Sequence, residues 1–170
     1  NVGTRDARRL AGFSYGEVMI LIAHRGNLFG KQESLENCPS YVLDAIARGF
    51  DVEIDVWLKG NRFLLGHDEG LYQVDADFLL NKSLWCHCKT IDTLGALLDV
   101  GAHCFFHEND PVTLTSKGFM WTYPRNDATP GAICVLPEST GLAERDLGRA
   151  GGICSGVVGR FSELSSHPGY

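Results

Sequence analysis

The chain has 170 residues, 44% of them hydrophobic, and a formal net charge of −6 at pH 7. That is enough apolar material for one domain with a real core, and the acidic balance argues against a nucleic-acid binder, which needs a basic face. No apolar run reaches the roughly 18 residues of a membrane span, and any anionic ligand must be held by a few local cations, not by a general field.

Residues 1–18 are polar, Gly-bearing and without clear period, and they read as an N-terminal extension. Arg5, Arg8 and Arg9 are too few for more than a solvated arm, with room for a short helix. The run Val18 to Ala23 is too short for a secretory signal. A single domain is expected over 19–170. It opens with a strand, Ile20 to Ala23, ending at the turn His24-Arg25-Gly26. A polar loop, Asn27 to Asn37, leads to a helix that begins at Pro39, carries Tyr41, Val42, Ala45 and Ile46 at helical spacing, and stops at Gly49. The second strand is Asp51 to Trp57.

Lys59-Gly60-Asn61 reads as a hairpin turn into Arg62 to Leu65, whose far end carries Gly66-His67-Asp68. Asp75 to Leu80 forms a helical turn, and Leu84 to Lys89 the next strand, with Trp85, His87 and Lys89 on one face. Thr90 caps a helix to about Val100, with Ile91, Leu94, Leu97 and Leu98 as its apolar stripe and Gly101 after it. Further strands are His103 to His107, Phe119 to Tyr123, Ala132 to Leu136 and Gly152 to Val157, with a helical connection over Gly141 to Ala150. Short apolar strands alternating with helices predict an α/β fold with a parallel sheet. With about seven parallel strands in fewer than the roughly 250 residues typical of a TIM barrel, the best match is a compact, trimmed or irregular TIM (β/α) barrel.

Alternation at period two sends Asp51, Glu53, Asp55 and Trp57 to one face of the second strand and Val52, Ile54 and Val56 to the other. Carboxylates aimed inward from an apolar strand are costly unless they bind something. A divalent cation is the economical explanation, with Glu53 and Asp55 as hard ligands; exposed acids on an edge strand are the alternative. His87 and Lys89 lie where a third ligand and a phosphate-binding cation would converge, although a strand histidine is often a hydrogen-bonded core group. His24 and His67 each follow a strand, either as turn residues or as a general acid and base, work suited to a pKa near neutrality. Arg25 either holds phosphate oxygens or pairs with Glu33 or Glu36. His107 ends a strand in position to line a pocket, His103 caps its start, and Trp121 and Tyr123 wall the pocket or pack the core. Glu138, at another strand end, is a candidate acid behind the ligands, and His167 lies in a solvated tail. The six cysteines (Cys38, Cys86, Cys88, Cys104, Cys134, Cys154) sit mostly in apolar runs without zinc-ribbon spacing. Reduced, structural thiols and a cytoplasmic location are expected.

Together, His24-Arg25-Gly26, Glu36-Asn37 before a helix, Glu53-x-Asp55-Val56 and His67-Asp68 resemble the glycerophosphodiester phosphodiesterase family, in order and in spacing. The resemblance runs from about Ile20 to Lys89 and is weaker at Trp121-Thr122 and Gly152 to Ser155. It is closest to a compact bacterial and viral branch of that family. It implies a metal-dependent phosphodiesterase on a TIM barrel acting on a small-molecule phosphodiester. His24 and His67 would be the acid/base pair, Glu53 and Asp55 metal ligands, and Arg25 a phosphate ligand. With His87 as third ligand and Lys89 and Trp121 at the substrate, the expected cofactor is one divalent cation, magnesium or calcium first, manganese or zinc next. Two other outcomes stay open, a phospholipase-type lyase acting on lysophospholipid head groups and a non-catalytic phosphate-binding barrel. The chain departs from the family at His87-Cys88-Lys89, where Glu-x-Lys is usual, and at Ser155-Gly156-Val157, where an acid and an aromatic would follow the serine.

Overall fold

The computed structural model describes residues 19–124, 130–141, 147 and 149–162. The expected N-terminal extension and His167 lie outside them, as does most of the helix expected over Gly141 to Ala150. Ten strands and three α-helices are described, besides two short 3-10 turns (Pro137–Ser139 and Val158–Phe161): β1 (Ile20–His24), α1 (Pro39–Ala47), β2 (Asp51–Lys59), β3 (Arg62–Leu65), β4 (Tyr72–Val74), α2 (Ala76–Leu79), β5 (Leu84–Cys88), α3 (Ile91–Val100), β6 (Cys104–Phe105), β7 (Val112–Leu114), β8 (Met120–Thr122), β9 (Ile133–Val135) and β10 (Gly152–Ser155). No described helix is long and apolar enough to cross a membrane.

Seven of the strands run parallel, in the order β6-β5-β2-β1-β10-β9-β8. In chain order each of the seven therefore lies beside its successor except β6, and the last, β10, pairs with the first. Ile22 stands opposite Cys154 on one side and Asp51 on the other. No ladder joins β6 to β8 among the described residues. The chain between them fills that seam instead, with Ser116 N–H donating to the Cys104 carbonyl at 2.8 Å and Thr113 Oγ1 donating to the Phe106 carbonyl at 3.0 Å.

The core has two faces, because period-two alternation gives every central strand two buried sides. On one face Val52, Ile54, Val56, Leu84, Cys86 and Cys88 pack under α1 and α3 against Val42, Ala45 and Leu97. On the other, Ile22, Trp85, Phe105, Trp121, Ile133, Val135 and Cys154 form one cluster. Its members come from strands at both ends of the parallel order, and Phe105 of β6 meets Trp121 of β8 with ring centroids 4.5 Å apart. A flat sheet would hold these rings far apart, so the sheet curls. Burying each large side chain this way contributes about 1.5–3 kcal/mol. The fold is thus α/β with a curled sheet and fewer helices than strands.

Three details differ from the sequence reading. The β6 strand shrinks from His103–His107 to two residues, because the aromatic and histidine rings beyond it pack without a continuing ladder. The short antiparallel strands β4 and β7 carry too few apolar residues to stand out. In α3, Ile91 and Leu98 are exposed while Thr93 and Leu97 are buried. Thr93 is drawn inward because its Oγ1 accepts a hydrogen bond from Leu58 N–H at 2.9 Å, at the end of β2. All six cysteines are free thiols, five of them buried and Cys38 partly so.

Candidate metal centre and cavity

Strand β2 is the spine of the site. Its parallel ladders place His24 beside Glu53 and Asp55 beside His87, so alternation turns all four toward the curled interior. Glu53 and Asp55 are almost fully buried. His87 Nδ1 lies 3.1 Å from Asp55 Oδ1 and 3.9 Å from Glu53 Oε1. Candidate ligand atoms of Glu53, Asp55 and His87 all fall within 4.8 Å of one another.

Asp55 is the most heavily partnered group. Lys89 Nζ donates to its Oδ1 at 3.2 Å, and Arg25 Nε forms an ion pair with its Oδ2 at 3.1 Å. Asn37 closes a two-bond clamp, donating from Nδ2 to Oδ2 at 3.1 Å and accepting the Asp55 backbone N–H on Oδ1 at 2.8 Å. Burial opposes the charged form of Asp55, but the His87 hydrogen bond, Arg25 and Lys89 outweigh it and hold the carboxyl well below its usual range. Arg25 also donates to Glu36 at 3.0 Å, so Glu36 and not the exposed Glu33 is its loop partner. Burial opposes the charge on Arg25 as well, yet Asp55, Glu53 and Glu36 raise its pKa.

Glu53 is the opposite case. Its Oε2 is buried without a hydrogen-bond partner and lies 3.9 Å from His24 Nε2. Burial first, and the Asp55 charge second, push this carboxyl up to about 8. An orphaned oxygen beside a second carboxylate and an imidazole fits a divalent cation, whose charge would satisfy what the protein leaves open. His24 is pulled down to about 3, by burial and then by Arg25, and is neutral at pH 7.

Two glycines shape the approach. Gly26 has φ +92, and a Cβ there would lie 2.7 Å from the Tyr41 ring. Gly66, with φ +150, leaves no room for a Cβ against the Glu69 carbonyl oxygen. Its own carbonyl accepts from Trp57 Nε1 at 2.7 Å, which pins the loop carrying His67. His67 Nδ1 is tied to Asp68 Oδ1 at 2.7 Å, leaving Nε2 free.

These groups open into a cavity of about 460 Å³. His24, Arg25, Glu53, His67, His87 and Lys89 form its polar side. The rest of its lining includes Phe106, His107, Glu108, Trp121, Tyr123 and Leu136. Trp121 is both wall and core, 3% exposed against Phe105 and Trp85. Burial, then His87, lowers His107 to about 4. His103 stays out of the cavity lining, its ring tilted against Trp85 with centroids 4.2 Å apart and bonded to Thr115 Oγ1 at 2.9 Å.

All eight residues singled out for metal, phosphate or catalysis therefore meet in one place, Asp55 through its contacts with the other groups and the remaining seven on the cavity wall. What sequence reasoning left without a role is the clamp, Asn37, and the strained Leu136. Arg25 (φ 56), Asn37 (φ 62) and Leu136 (φ 49) are the non-glycine residues with positive φ among those described, and all three belong to the site or its lining. An Asn two residues before a helical Pro was a signal for the first of these two. Glu138 lies behind the last strand, accepting from Ser155 Oγ at 2.9 Å and from Gly156 N–H at 2.8 Å. No protein-family model matches this chain, and searches of curated proteins and of solved structures find no match either.

Proposed function

We propose that the chain is a metal-dependent phosphoric diester hydrolase on a trimmed TIM-type (β/α) barrel. Its substrate would be a glycerophosphodiester or a related head-group diester, cleaved to an alcohol and a phosphomonoester. The observation that carries this reading is the unpartnered, buried Glu53 oxygen, set against Asp55 and His87 and flanked by two cations and two histidines. The barrel reading draws on the return of β10 to the side of β1 and on the position of His24, and of His87 and Lys89, at the C-terminal ends of β1 and β5, where such barrels gather their chemistry.

A divalent cation on Glu53, Asp55 and His87 would supply charge neutralisation at a phosphate oxygen. Arg25 and Lys89, already drawn to Asp55, are the groups that orient the remaining oxygens. His24, unprotonated at pH 7, would take the proton from the nucleophile: water, which gives the phosphomonoester directly, or a substrate hydroxyl beside the phosphate, which gives a cyclic phosphodiester. His67 then protonates the departing alkoxide through Nε2, with Asp68 supporting the charged ring. The apolar side of the cavity, Phe106, Trp121 and Leu136, favours one variant of this reading, a phospholipase-type enzyme acting on lysophospholipid head groups.

The test is hydrolysis of glycerophosphocholine and of lysophosphatidylcholine by chelator-treated protein, resupplied with magnesium, calcium, manganese or zinc. Activity should return with one of these ions, and His24→Ala and His67→Ala should each lower turnover by about 10²–10⁴-fold. Activity that ignores the chelator, or either alanine variant at near-normal rate, would refute the scheme. Preference for the lyso-lipid would select the phospholipase variant.

A further inference from the structure

Beside the candidate ligand His87, the cavity lining carries a polar ring where the alcohol half of a diester would lie. The His107 ring stacks on His87, with centroids 4.8 Å apart and planes 24° from parallel. The Tyr123 ring meets it edge-on at 5.5 Å. Phe105, two residues back at the end of β6, stacks on His87 at 5.2 Å, so His87 rests against both rings. The His107 backbone is also within reach of the site, its carbonyl 3.5 Å from His87 Nε2. Its imidazole nitrogens, by contrast, have no hydrogen-bond partner among the described residues, and neither is sealed from solvent. Among its neighbours in the lining, Phe106 and Leu136 offer no side-chain group that could bond a hydroxyl, while Glu108, Trp121 and Tyr123 each carry one; of these polar groups, His107 is the one stacked on the candidate ligand His87.

We propose that His107 is a specificity-determining residue that hydrogen-bonds a hydroxyl on the alcohol group of the ligand, next to its phosphate. The inference rests on the phosphate-site reading above. With phosphate drawn to Arg25, Lys89 and the ligand cluster, the ester's carbon side extends along the ring stack, past His107. A ring nitrogen there recognises a hydroxyl and leaves an unmet partner when the ligand lacks one. The stack on His87 keeps the ring in place without consuming its nitrogens.

Titration calorimetry on the full chain in magnesium separates this role from simple packing. The probes are glycerol 3-phosphate, which carries hydroxyls beside its phosphate, and propyl phosphate, which carries none. Wild type should favour glycerol 3-phosphate, and His107→Phe, which keeps a stacking ring but no nitrogens, should weaken it by about tenfold while leaving propyl phosphate within about twofold. Magnesium affinity should be unchanged. His107→Leu carries the same expectation if the phenylalanine variant does not fold. Equal binding of both probes by wild type, an undiminished preference in the variant, or loss of magnesium affinity would each overturn the proposal. If wild type binds neither phosphate, the phosphate-site reading itself fails, and the His107 role goes with it.

Discussion

Asn37→Ala tests the architecture of the site most directly. The side chain makes two bonds to Asp55, one to the buried carboxylate and one to its backbone N–H. A hydrogen bond to a charged group is worth about 1.5–3 kcal/mol, and a buried donor left unmet costs about 1–3 kcal/mol. Asn37 also sits at φ 62, where alanine adds about 1–2 kcal/mol of strain that asparagine tolerates better. Allowing for relaxation, Asn37→Ala should lose about 3–6 kcal/mol, a large share of the roughly 5–15 kcal/mol that holds a domain together. Asn37→Gly removes the same bonds without the strain and should be the less damaging by about 1 kcal/mol. Urea unfolding in chelator measures both. If the alanine variant lies within about 1 kcal/mol of wild type, or glycine is no better than alanine, the clamp is not what positions Asp55. The same variants should bind magnesium about 10–100-fold more weakly, since the clamp orients a ligand.

The remaining expectations concern charge and packing. Glu53, raised from 4.5 to about 8 by burial and then by Asp55, holds a proton in the fold that the unfolded chain has released. The stability of chelated protein should therefore fall as pH rises between those values. Glu53→Gln should flatten that slope in thermal unfolding and abolish stabilisation by magnesium, and an unchanged slope would refute the assignment. Glu138→Ala should cost about 1–2 kcal/mol by freeing Ser155 and Gly156, with little change in magnesium affinity by calorimetry. Trp121→Ala should cost about 3–5 kcal/mol in denaturant unfolding through the cavity it leaves between β6 and β8.

What the sequence made legible was periodic or punctuated. The acids of β2 stand out because the strand alternates, and Pro39, Gly49, Gly60 and Gly101 mark their turns whatever surrounds them. Asn37 was visible as a motif residue yet silent as to role, because its partner is Asp55 and only the folded loop joins them. Arg25 was ambiguous between two loop acids until the fold buried Glu36 and left Glu33 outside. Thr93 defeated the helical stripe because its hydroxyl completes the end of a strand 35 residues away, a contact no period predicts. Leu136 gave no signal, since a left-handed leucine is set by the chain that follows it. The strands β4 and β7 are fixed by neighbours that a linear reading does not supply.

The pairing of β1 with β10 has a consequence for the order in which the chain assembles. Ile22 must wait for Cys154 before its second edge is covered, while His24, Arg25, Glu53, Asp55, His67, His87 and Lys89 all lie within the first 89 residues. A nascent chain therefore carries the whole charged cluster before it can close the sheet around it. Long-range closure of this kind is slow, and until it happens β1 offers a bare edge to any passing strand. A ligand that gathers Glu53, Asp55 and His87 early would shorten that exposure, which makes refolding rate in the presence of metal a kinetic signature of the site.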